Sequence, residues 1–258
     1  MALLELDGVQ TYIGEYHILQ GVTLTVQQGA ITVLLGRNGA GKTTTLRTVM
    51  GLAPARAGRI RFRGEEITRL PPHQVARRGI GYVPEDRGIF RHLTVAENLR
   101  VATRGGDLPW PLRGRAPEGY ARGAAGEPPR ERSLEARLDW VLRLFPDLAR
   151  AWRRPAGTLS GGQQQMLAIG RVLLSENALL LIDEPSKGLA PVVVEQLGEA
   201  LKQIAAETTV LLVEQNFGLA AAVGDHAVVL DDGRTVYQGS MAEILGDAAL
   251  RRRYLGVA

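Results

Sequence analysis

The chain has no cysteine, very few lysines and no long apolar run. Without cysteine, disulfide bonds, thiolate catalysis and cysteine-based metal sites are all excluded. Glu5 and Asp7 interrupt the first apolar residues, so we expect no N-terminal signal peptide. No segment approaches the ~20 apolar residues that a membrane-spanning helix needs. A role at a membrane would therefore depend on partner proteins.

Lysine is scarce although the chain is basic. Only three of the 31 basic residues are lysines (Lys42, Lys187 and Lys202), and the net charge is +4. A basic balance can indicate nucleic acid or a membrane surface as a partner. Here the arginines are spread along all 258 residues, so we interpret most of them as solvated surface. With 45% hydrophobic and 22% charged residues, the composition is that of a globular protein with one large or two small domains.

A glycine-rich segment at residues 36–44 follows an apolar run at 31–35 and precedes a short helical pattern. Glycines between a strand and a helix let successive backbone N–H groups point at one anion. Lys42 would reach the β and γ phosphates of a nucleotide, and the Thr43 hydroxyl would bind Mg²⁺. The alternative is a glycine turn with a solvent-facing lysine. The predicted nucleotide-binding residues of this segment are Gly36, Arg37, Asn38, Gly39, Ala40, Gly41, Lys42, Thr43 and Thr44.

Two later apolar runs predict buried strands of a parallel sheet, each with polar side chains at its carboxyl end. Residues 178–182 precede Asp183 and Glu184, and residues 208–213 lead into a segment that contains Gln215. Open α/β sheets bind their ligands at the carboxyl ends of their strands. Capping of a following helix explains one acidic residue there, but not two in succession. The order of strands and helices predicts an α/β fold.

Ser160 is placed to cap a helix that runs to about residue 174. Gly161 and Gly162, followed by Gln163, leave the first amide groups of that helix exposed, which makes it a second candidate anion site. Taken alone this signal is weak, because serine and glycine favour such positions anyway. Tyr12 lies in the first predicted connection, and the residues around it favour a half-buried aromatic at a strand edge.

Residues 104–132 differ in composition from the rest of the chain. They contain five prolines, six glycines and six arginines, with little apolar content. This composition predicts a mobile surface insertion, and a tolerated insertion is favoured over a docking loop. Just before it, Thr94 and Glu97 have the spacing of a helix capping box.

Together, three of these segments resemble the ATP-binding subunits of ABC transporters. Residues 36–44 match the Walker A motif, residues 159–163 the ABC signature, and residues 179–184 the Walker B motif with its adjacent glutamate. The resemblance extends over nearly the whole chain. It implies a P-loop NTPase fold, an ABC ATPase domain with a RecA-like core, an N-terminal antiparallel β-subdomain and a helical subdomain.

Further segments resemble the ATPases of high-affinity branched-chain amino-acid importers, and within that group the shorter of two paired ATPases. These segments are residues 82–87, 164–171, 183–191, 213–216 and 254–256. The resemblance implies a single ABC ATPase domain with two lobes. The implied catalytic lobe comprises residues 1–85 and 166–258, and the implied helical lobe comprises residues 86–165.

The resemblance also implies a role for each polar residue at the strand ends. Asp183 would hold Mg²⁺ through water while Thr43 binds it directly, and Glu184 would act as general base toward the attacking water. Gln215 would position the γ-phosphate by donating a hydrogen bond from its amide. The implied cofactors are therefore ATP and Mg²⁺.

Some positions depart from the general family pattern. Glu85 stands at the usual glutamine, where it could bind Mg²⁺ or water, and Gln215 stands at the usual switch histidine. Ala190 replaces an aspartate, and Lys187 occupies a position where the subgroup tends to have leucine. The resemblance changes the interpretation of Tyr12, which falls where the family stacks an aromatic ring on adenine.

The resemblance implies several partners. Ser160, Gly161, Gly162 and Gln163 would contact ATP bound to the opposite subunit of a head-to-tail dimer, and that subunit is a second ABC ATPase, identical or different. Integral-membrane permease subunits would hold the pair at the cytoplasmic face of the cell membrane. A periplasmic or extracellular substrate-binding protein would act indirectly, and no nucleic acid is expected.

Three alternatives remain at this point. The same role could serve urea, amides or another amino acid, since nothing in the chain would touch the substrate. A soluble ABC ATPase acting on nucleic acid or ribosomes usually has two fused cassettes or a long coiled-coil insertion. A P-loop small-molecule kinase would have no use for residues 159–163.

Overall fold

The computed structural model describes residues 1–103 and 133–256. The predicted insertion at 104–132 lies outside the described residues, and its properties stay a prediction. The strands are β1 (Ala2–Ile13), β2 (Tyr16–Gln27), β3 (Ile31–Leu35), β4 (Ala55–Phe62), β5 (Glu65–Glu66), β6 (Ile80–Val83), β7 (Leu179–Asp183), β8 (Thr209–Val213), β9 (His226–Asp231) and β10 (Arg234–Ser240). The α-helices are α1 (Lys42–Val49), α2 (Pro72–Arg77), α3 (Val95–Val101), α4 (Leu134–Leu144), α5 (Pro146–Arg150), α6 (Gly161–Leu173), α7 (Pro191–Ala205), α8 (Phe217–Val223), α9 (Met241–Gly246) and α10 (Ala248–Leu250).

Contacts between Cα atoms divide the chain into two compact units. The first unit comprises Met1–Tyr82, Ala178–Lys187 and Ile204–Ala258, and the second comprises Val83–Asn177 and Gly188–Gln203. The predicted catalytic lobe comprised residues 1–85 and 166–258. The contact division groups residues 83–85, 166–177 and 188–203 with the second unit, and the lobe bounds stay a prediction. The physical reason for the difference at 166–177 is that α6 packs against α3, α4 and α5.

The first unit contains an antiparallel sheet with the strand order β2–β1–β4–β5. Leu4 and Leu6 of β1 are buried, while Glu5 between them pairs across the sheet with Arg61 of β4. This alternation is expected for a sheet with one face on the core and one in solvent. The sheet confirms the predicted N-terminal antiparallel β-subdomain.

A second sheet has the order β10–β9–β3–β8–β7–β6. Its strands β3, β7, β8 and β9 are parallel to their neighbours within that group. Every residue of β3, β7 and β8 is buried, as their continuous apolar sequences predicted. The carboxyl ends of these strands therefore meet at one edge of the sheet, where an α/β fold places its functional groups.

Two helices of the second unit begin at the caps that the sequence predicted. Thr94 and Glu97 form a capping box at α3, and Ser160 and Gln163 form another at α6. A Cβ at Gly170 of α6 would lie 2.9 Å from the Val141 side chain of α4, so glycine permits the close packing of these two helices. Within the described ranges, no helix is long and apolar enough to cross a membrane.

Candidate functional site

The predicted phosphate loop joins β3 to α1, and its path depends on glycine. Gly36 and Gly41 have φ angles of 146° and 99°. A Cβ at Gly36 would lie 2.3 Å from the Leu230 carbonyl oxygen, and one at Gly41 would lie 2.8 Å from the Leu19 side chain. Both positions therefore exclude larger residues on conformational and steric grounds. The other loop residues differ in exposure: Arg37, Asn38 and Gly39 are exposed, and Ala40 and Thr44 are buried.

Lys42, the first residue of α1, turns its side chain back into this loop. Its Nζ donates hydrogen bonds to the carbonyl oxygens of Gly36 at 2.9 Å and Arg37 at 3.1 Å. The residue is only 5% exposed, so the alternative of a solvent-facing lysine is wrong. A buried ammonium group needs polar partners, and here the loop supplies them.

Asp183 lies at the carboxyl end of β7 and is fully buried. Its Oδ1 accepts a hydrogen bond from the Thr43 hydroxyl at 3.1 Å, and its Oδ2 accepts one from the Tyr82 hydroxyl at 3.4 Å. The structure thus brings together two of the three predicted Mg²⁺ ligands, and Glu85 is the third. A hydroxyl beside a carboxylate supplies the oxygen donors that Mg²⁺ prefers, bound directly or through the waters that the ion retains, so these two residues fit the ion.

The described residues offer no cluster of three or more His, Cys, Asp or Glu side chains that could hold a metal alone.

Glu184 follows directly and has a left-handed backbone, with φ of 44°. Such a conformation is unfavourable for a residue other than glycine, and it often marks a functional site. The carboxylate is 8% exposed and accepts a hydrogen bond from the Gln215 amide. Two ammonium groups lie close to it, Lys42 at 3.9 Å and Lys187 at 3.7 Å. The predicted general base and the predicted γ-phosphate donor are therefore neighbours.

Glu214 was not predicted as a site residue, although it directly precedes Gln215. It is 1% exposed, and its Oε1 accepts the Ser186 N–H at 3.0 Å. Its Oε2 accepts the Ser186 hydroxyl at 2.9 Å and the N–H groups of Gln215 and Asn216 at 3.0 and 3.1 Å. Burial raises the pKa of this carboxyl group, and the hydrogen bonds from Ser186, Asn216 and Gln215 oppose the shift. The sequence feature that could have identified Glu214 is its position directly after an apolar run that predicts a buried strand.

The signature residues lie at the start of α6, in the second unit. The Ser160 hydroxyl accepts the Gln163 N–H at 3.3 Å, and the Gln163 side chain accepts the Ser160 N–H at 3.1 Å. A Cβ at Gly162 would lie 2.6 Å from the Val193 side chain, and one at Gly161 would lie 3.4 Å from an Arg87 nitrogen. The side chains of Ser160 and Gln163 therefore cap the helix. The two glycines leave room for Val193 and Arg87 beside its first turn.

The two remaining predicted residues lie apart from the phosphate loop in sequence. Tyr12 lies in β1 and stacks on His17 of β2, with ring centroids 4.2 Å apart and planes at 5°. The Arg56 guanidinium lies 5.1 Å from the centroid of the same ring. Tyr12 therefore has partners within the chain, and its contact with adenine stays a prediction. Glu85 is exposed and belongs to the second unit, and its proposed metal contact also stays a prediction.

The protein family described as "ABC transporter" matches residues 19–187. The chain therefore belongs to this family, and the alternative of a P-loop small-molecule kinase is wrong. It is 41% identical over 255 residues to the high-affinity branched-chain amino acid transport ATP-binding protein BraG of Pseudomonas aeruginosa, covering 98% of this chain and 100% of that protein. It is 34% identical over 245 residues to the probable branched-chain amino acid transport ATP-binding protein LivF of Archaeoglobus fulgidus, covering 94% of both.

A solved structure gives the same result for the fold. The crystal structure of a nucleotide-free ATP-binding cassette from an ABC transporter superposes with a TM-score of 0.78. The sequence identity is 25%, and the superposition covers 100% of both chains. The predicted ABC ATPase fold and the resemblance to branched-chain amino-acid transport ATPases are confirmed.

Proposed function

We propose that this chain hydrolyses ATP as the energy-coupling subunit of an importer for branched-chain amino acids. The observation that carries the proposal is the end-to-end relationship to BraG, combined with the Thr43–Asp183 and Glu184–Gln215 contacts at one sheet edge. A relative that covers the whole chain supports the same molecular role. The two contacts support the chemistry that this role requires.

Hydrolysis of ATP needs a neutralised triphosphate and an oriented water molecule. Lys42 would exchange the carbonyl oxygens of its loop for phosphate oxygens, and the loop N–H groups would donate to the same anion. Mg²⁺, held by Thr43 and Asp183, would neutralise further phosphate charge.

Glu184 would accept a proton from the attacking water. The water oxygen bonds to the γ-phosphorus while the bond from that phosphorus to the ADP oxygen breaks. Gln215, already in contact with Glu184, would donate its amide hydrogen to the γ-phosphate. A positioned general base typically accelerates such a step by about 10²–10⁴-fold.

The site would be completed by a second ABC ATPase subunit. The start of α6, with Ser160, Gly161 and Gly162, presents helix amide groups that suit the γ-phosphate of a nucleotide on the partner. ATP would then close the pair and hydrolysis would reopen it. Integral-membrane permease subunits would transmit this motion, and they would hold the chain at the cytoplasmic face of the membrane.

Reconstitution tests the whole proposal. The full chain would be co-expressed with its candidate permease subunits and second ATPase, purified as a complex and placed in liposomes with a branched-chain amino-acid-binding protein. We expect ATP hydrolysis to increase when leucine-loaded binding protein is added, and labelled leucine to accumulate. The same complex with Glu184→Gln is the control, and it should bind ATP without uptake.

The outcomes separate the alternatives. Accumulation of urea or an amide in place of leucine would retain the ATPase role and reject the cargo. ATP hydrolysis stimulated by nucleic acid, without any association with membrane subunits, would reject transport altogether.

A further inference from the structure

Glu214 is a buried carboxylate that the proposed hydrolysis step does not use. Both of its oxygens accept hydrogen bonds, from Ser186 on one side and from Gln215 and Asn216 on the other. We call Glu214, Ser186, Gln215 and Asn216 the Glu214 clamp. Removing a carboxylate from water is unfavourable. The three N–H groups and one hydroxyl that donate to Glu214 offset this loss of hydration.

The donors of the Glu214 clamp belong to two different turns. Ser186 lies in the turn after β7, two residues beyond Glu184. Gln215 and Asn216 lie in the turn after β8, where Asn216 also caps α8. One side chain therefore ties together the two turns that carry the proposed base and the proposed γ-phosphate donor.

The position of Glu184 requires such a tie. Its backbone is in the left-handed region, which is unfavourable unless the surroundings hold it there. Its N–H donates to the Val213 carbonyl oxygen at 2.9 Å, so the two turns are joined at the main chain as well. The contact between the Gln215 amide and the Glu184 carboxylate forms between the same two turns. Without the Glu214 clamp, the Val213 hydrogen bond would be the one of these links that still holds the Gln215 amide beside the Glu184 carboxylate.

We propose that Glu214 is a positioning residue for ATP hydrolysis, which holds the Glu184 turn against the Gln215 turn. The inference rests on the proposed function, since it assumes that Glu184 accepts the proton of the attacking water. Glu214 does not touch the nucleotide in this proposal. It acts through Glu184 and Gln215, and none of its four hydrogen bonds reaches the phosphate loop.

Steady-state kinetics of the purified full chain test the proposal. Glu214→Ala should lower kcat by about 10–100-fold, because misplaced groups around a reaction centre have effects of this size. KM for MgATP should stay within about threefold, since the loop contacts of Lys42 are unchanged. Glu214→Gln keeps the shape of the side chain and one accepting oxygen, so its kcat should fall less. Ser186→Ala, which removes one hydrogen bond of the clamp, should have the smallest effect.

A matched control lies on the same strand. Thr209, at the start of β8, is 2% exposed and its hydroxyl accepts the Gly29 N–H at 2.9 Å. Thr209→Val therefore removes a buried acceptor of a main-chain N–H at the opposite end of β8. It should lower stability while leaving kcat unchanged. An equal loss of kcat in Thr209→Val and Glu214→Gln would overturn the proposal, because both effects would then reflect stability.

A double-mutant cycle tests whether Glu214 acts through its neighbour. In a Gln215→Ala background, Glu214→Ala should lower kcat by a clearly smaller factor than in the wild type. Equal factors in both backgrounds would reject positioning through Gln215. Wild-type turnover is measured first, for the chain alone and for the chain with its second ATPase. Absence of turnover in both would reject the proposed function, whereas wild-type turnover that folded Glu214 variants retain rejects only this inference.

Discussion

At the residue scale, Glu184 has two ammonium groups and one amide donor close to its carboxylate. Lys42 and Lys187 lie 3.9 and 3.7 Å from its oxygens, and the Gln215 amide donates to it. Lys187 is 62% exposed, so solvent screens its contribution strongly. Lys42 is buried and belongs to the phosphate loop. Its ion pair with Glu184 therefore connects the proposed base to that loop.

Replacement of Glu184 by glutamine should separate ATP binding from hydrolysis. The glutamine side chain has the same shape but accepts a proton poorly, so turnover should fall by about 10²–10⁴-fold. Affinity for ATP should change little, because the hydrogen bonds of Lys42 to the loop carbonyl oxygens do not involve Glu184. Turnover is measured by phosphate release and affinity by a fluorescent nucleotide analogue. Turnover equal to the wild type would remove Glu184 as the base.

The raised pKa of Glu214 predicts a pH dependence of stability. In the unfolded chain this carboxyl group ionises near pH 4.5, and burial raises its pKa in the folded protein. Above pH 4.5 and up to the folded pKa, the native state therefore binds more protons than the unfolded state. The free energy of unfolding falls as pH rises through that interval.

Urea denaturation of the wild type and of Glu214→Gln at a series of pH values measures this effect. The wild type should lose stability relative to the variant as pH rises above 4.5. Identical pH profiles would show that Glu214 has the same pKa in both states.

The sequence located side chains correctly where a motif fixes the backbone, whereas the roles of these residues stay predictions. The positions of Lys42, Thr43 and Asp183 followed from glycine spacing and from apolar runs that end in carboxylates. The partner of Tyr12 did not follow, because its stacking on His17 depends on the register of two paired strands. The Glu214 clamp was also missed, because Ser186, one of its donor residues, lies 28 residues before Glu214 in the sequence.

At the scale of single elements, α3 depends on one buried amide. Asn98 is fully buried and donates to the carbonyl oxygens of Phe90, Leu93 and Thr94 at 2.9, 3.2 and 3.0 Å. Its Oδ1 accepts the Phe90 N–H at 2.9 Å. The side chain thus holds the segment before α3 onto the helix. The sequence predicted the capping box at this helix, but not this second anchor.

Asn98→Ala should destabilise the protein by about 1–3 kcal/mol, because it leaves the Phe90 N–H without its acceptor and removes the amide donor from three carbonyl oxygens. Urea denaturation measures the change. Gln196→Ala, at an exposed position of α7, is the control and should stay within about 0.5 kcal/mol of the wild type. If Asn98→Ala and Gln196→Ala were equally stable, water would be replacing the Asn98 amide without a loss of stability.

At the scale of the whole molecule, the proposed site needs two chains. In the presence of ATP, the Glu184→Gln variant should elute as a dimer in size-exclusion chromatography, because bound ATP is not consumed. Ser160→Arg in the same background should prevent dimer formation by placing a bulky cation at the start of α6. The monomer should keep its affinity for ATP.

Loss of a helix cap is a side effect of Ser160→Arg, and another helix controls for it. Ser133 caps α4 through its hydroxyl, which accepts the Ala136 N–H at 3.2 Å. Ser133→Arg removes a cap of the same kind away from the signature. An ATP-dependent dimer that survives Ser160→Arg would contradict the proposed role of the signature, and loss of the dimer in both variants would indicate destabilisation.

The register of β7 and β8 has a consequence for how such a chain tolerates insertions. Asp183 pairs with Val213, so the turns that follow both strands begin side by side. One added residue within β8 would advance its end by about 3.3 Å and invert the orientation of every following side chain. Glu214 would then face away from Ser186. We therefore expect these strands to accept exchanges of one apolar residue for another, but no change of length.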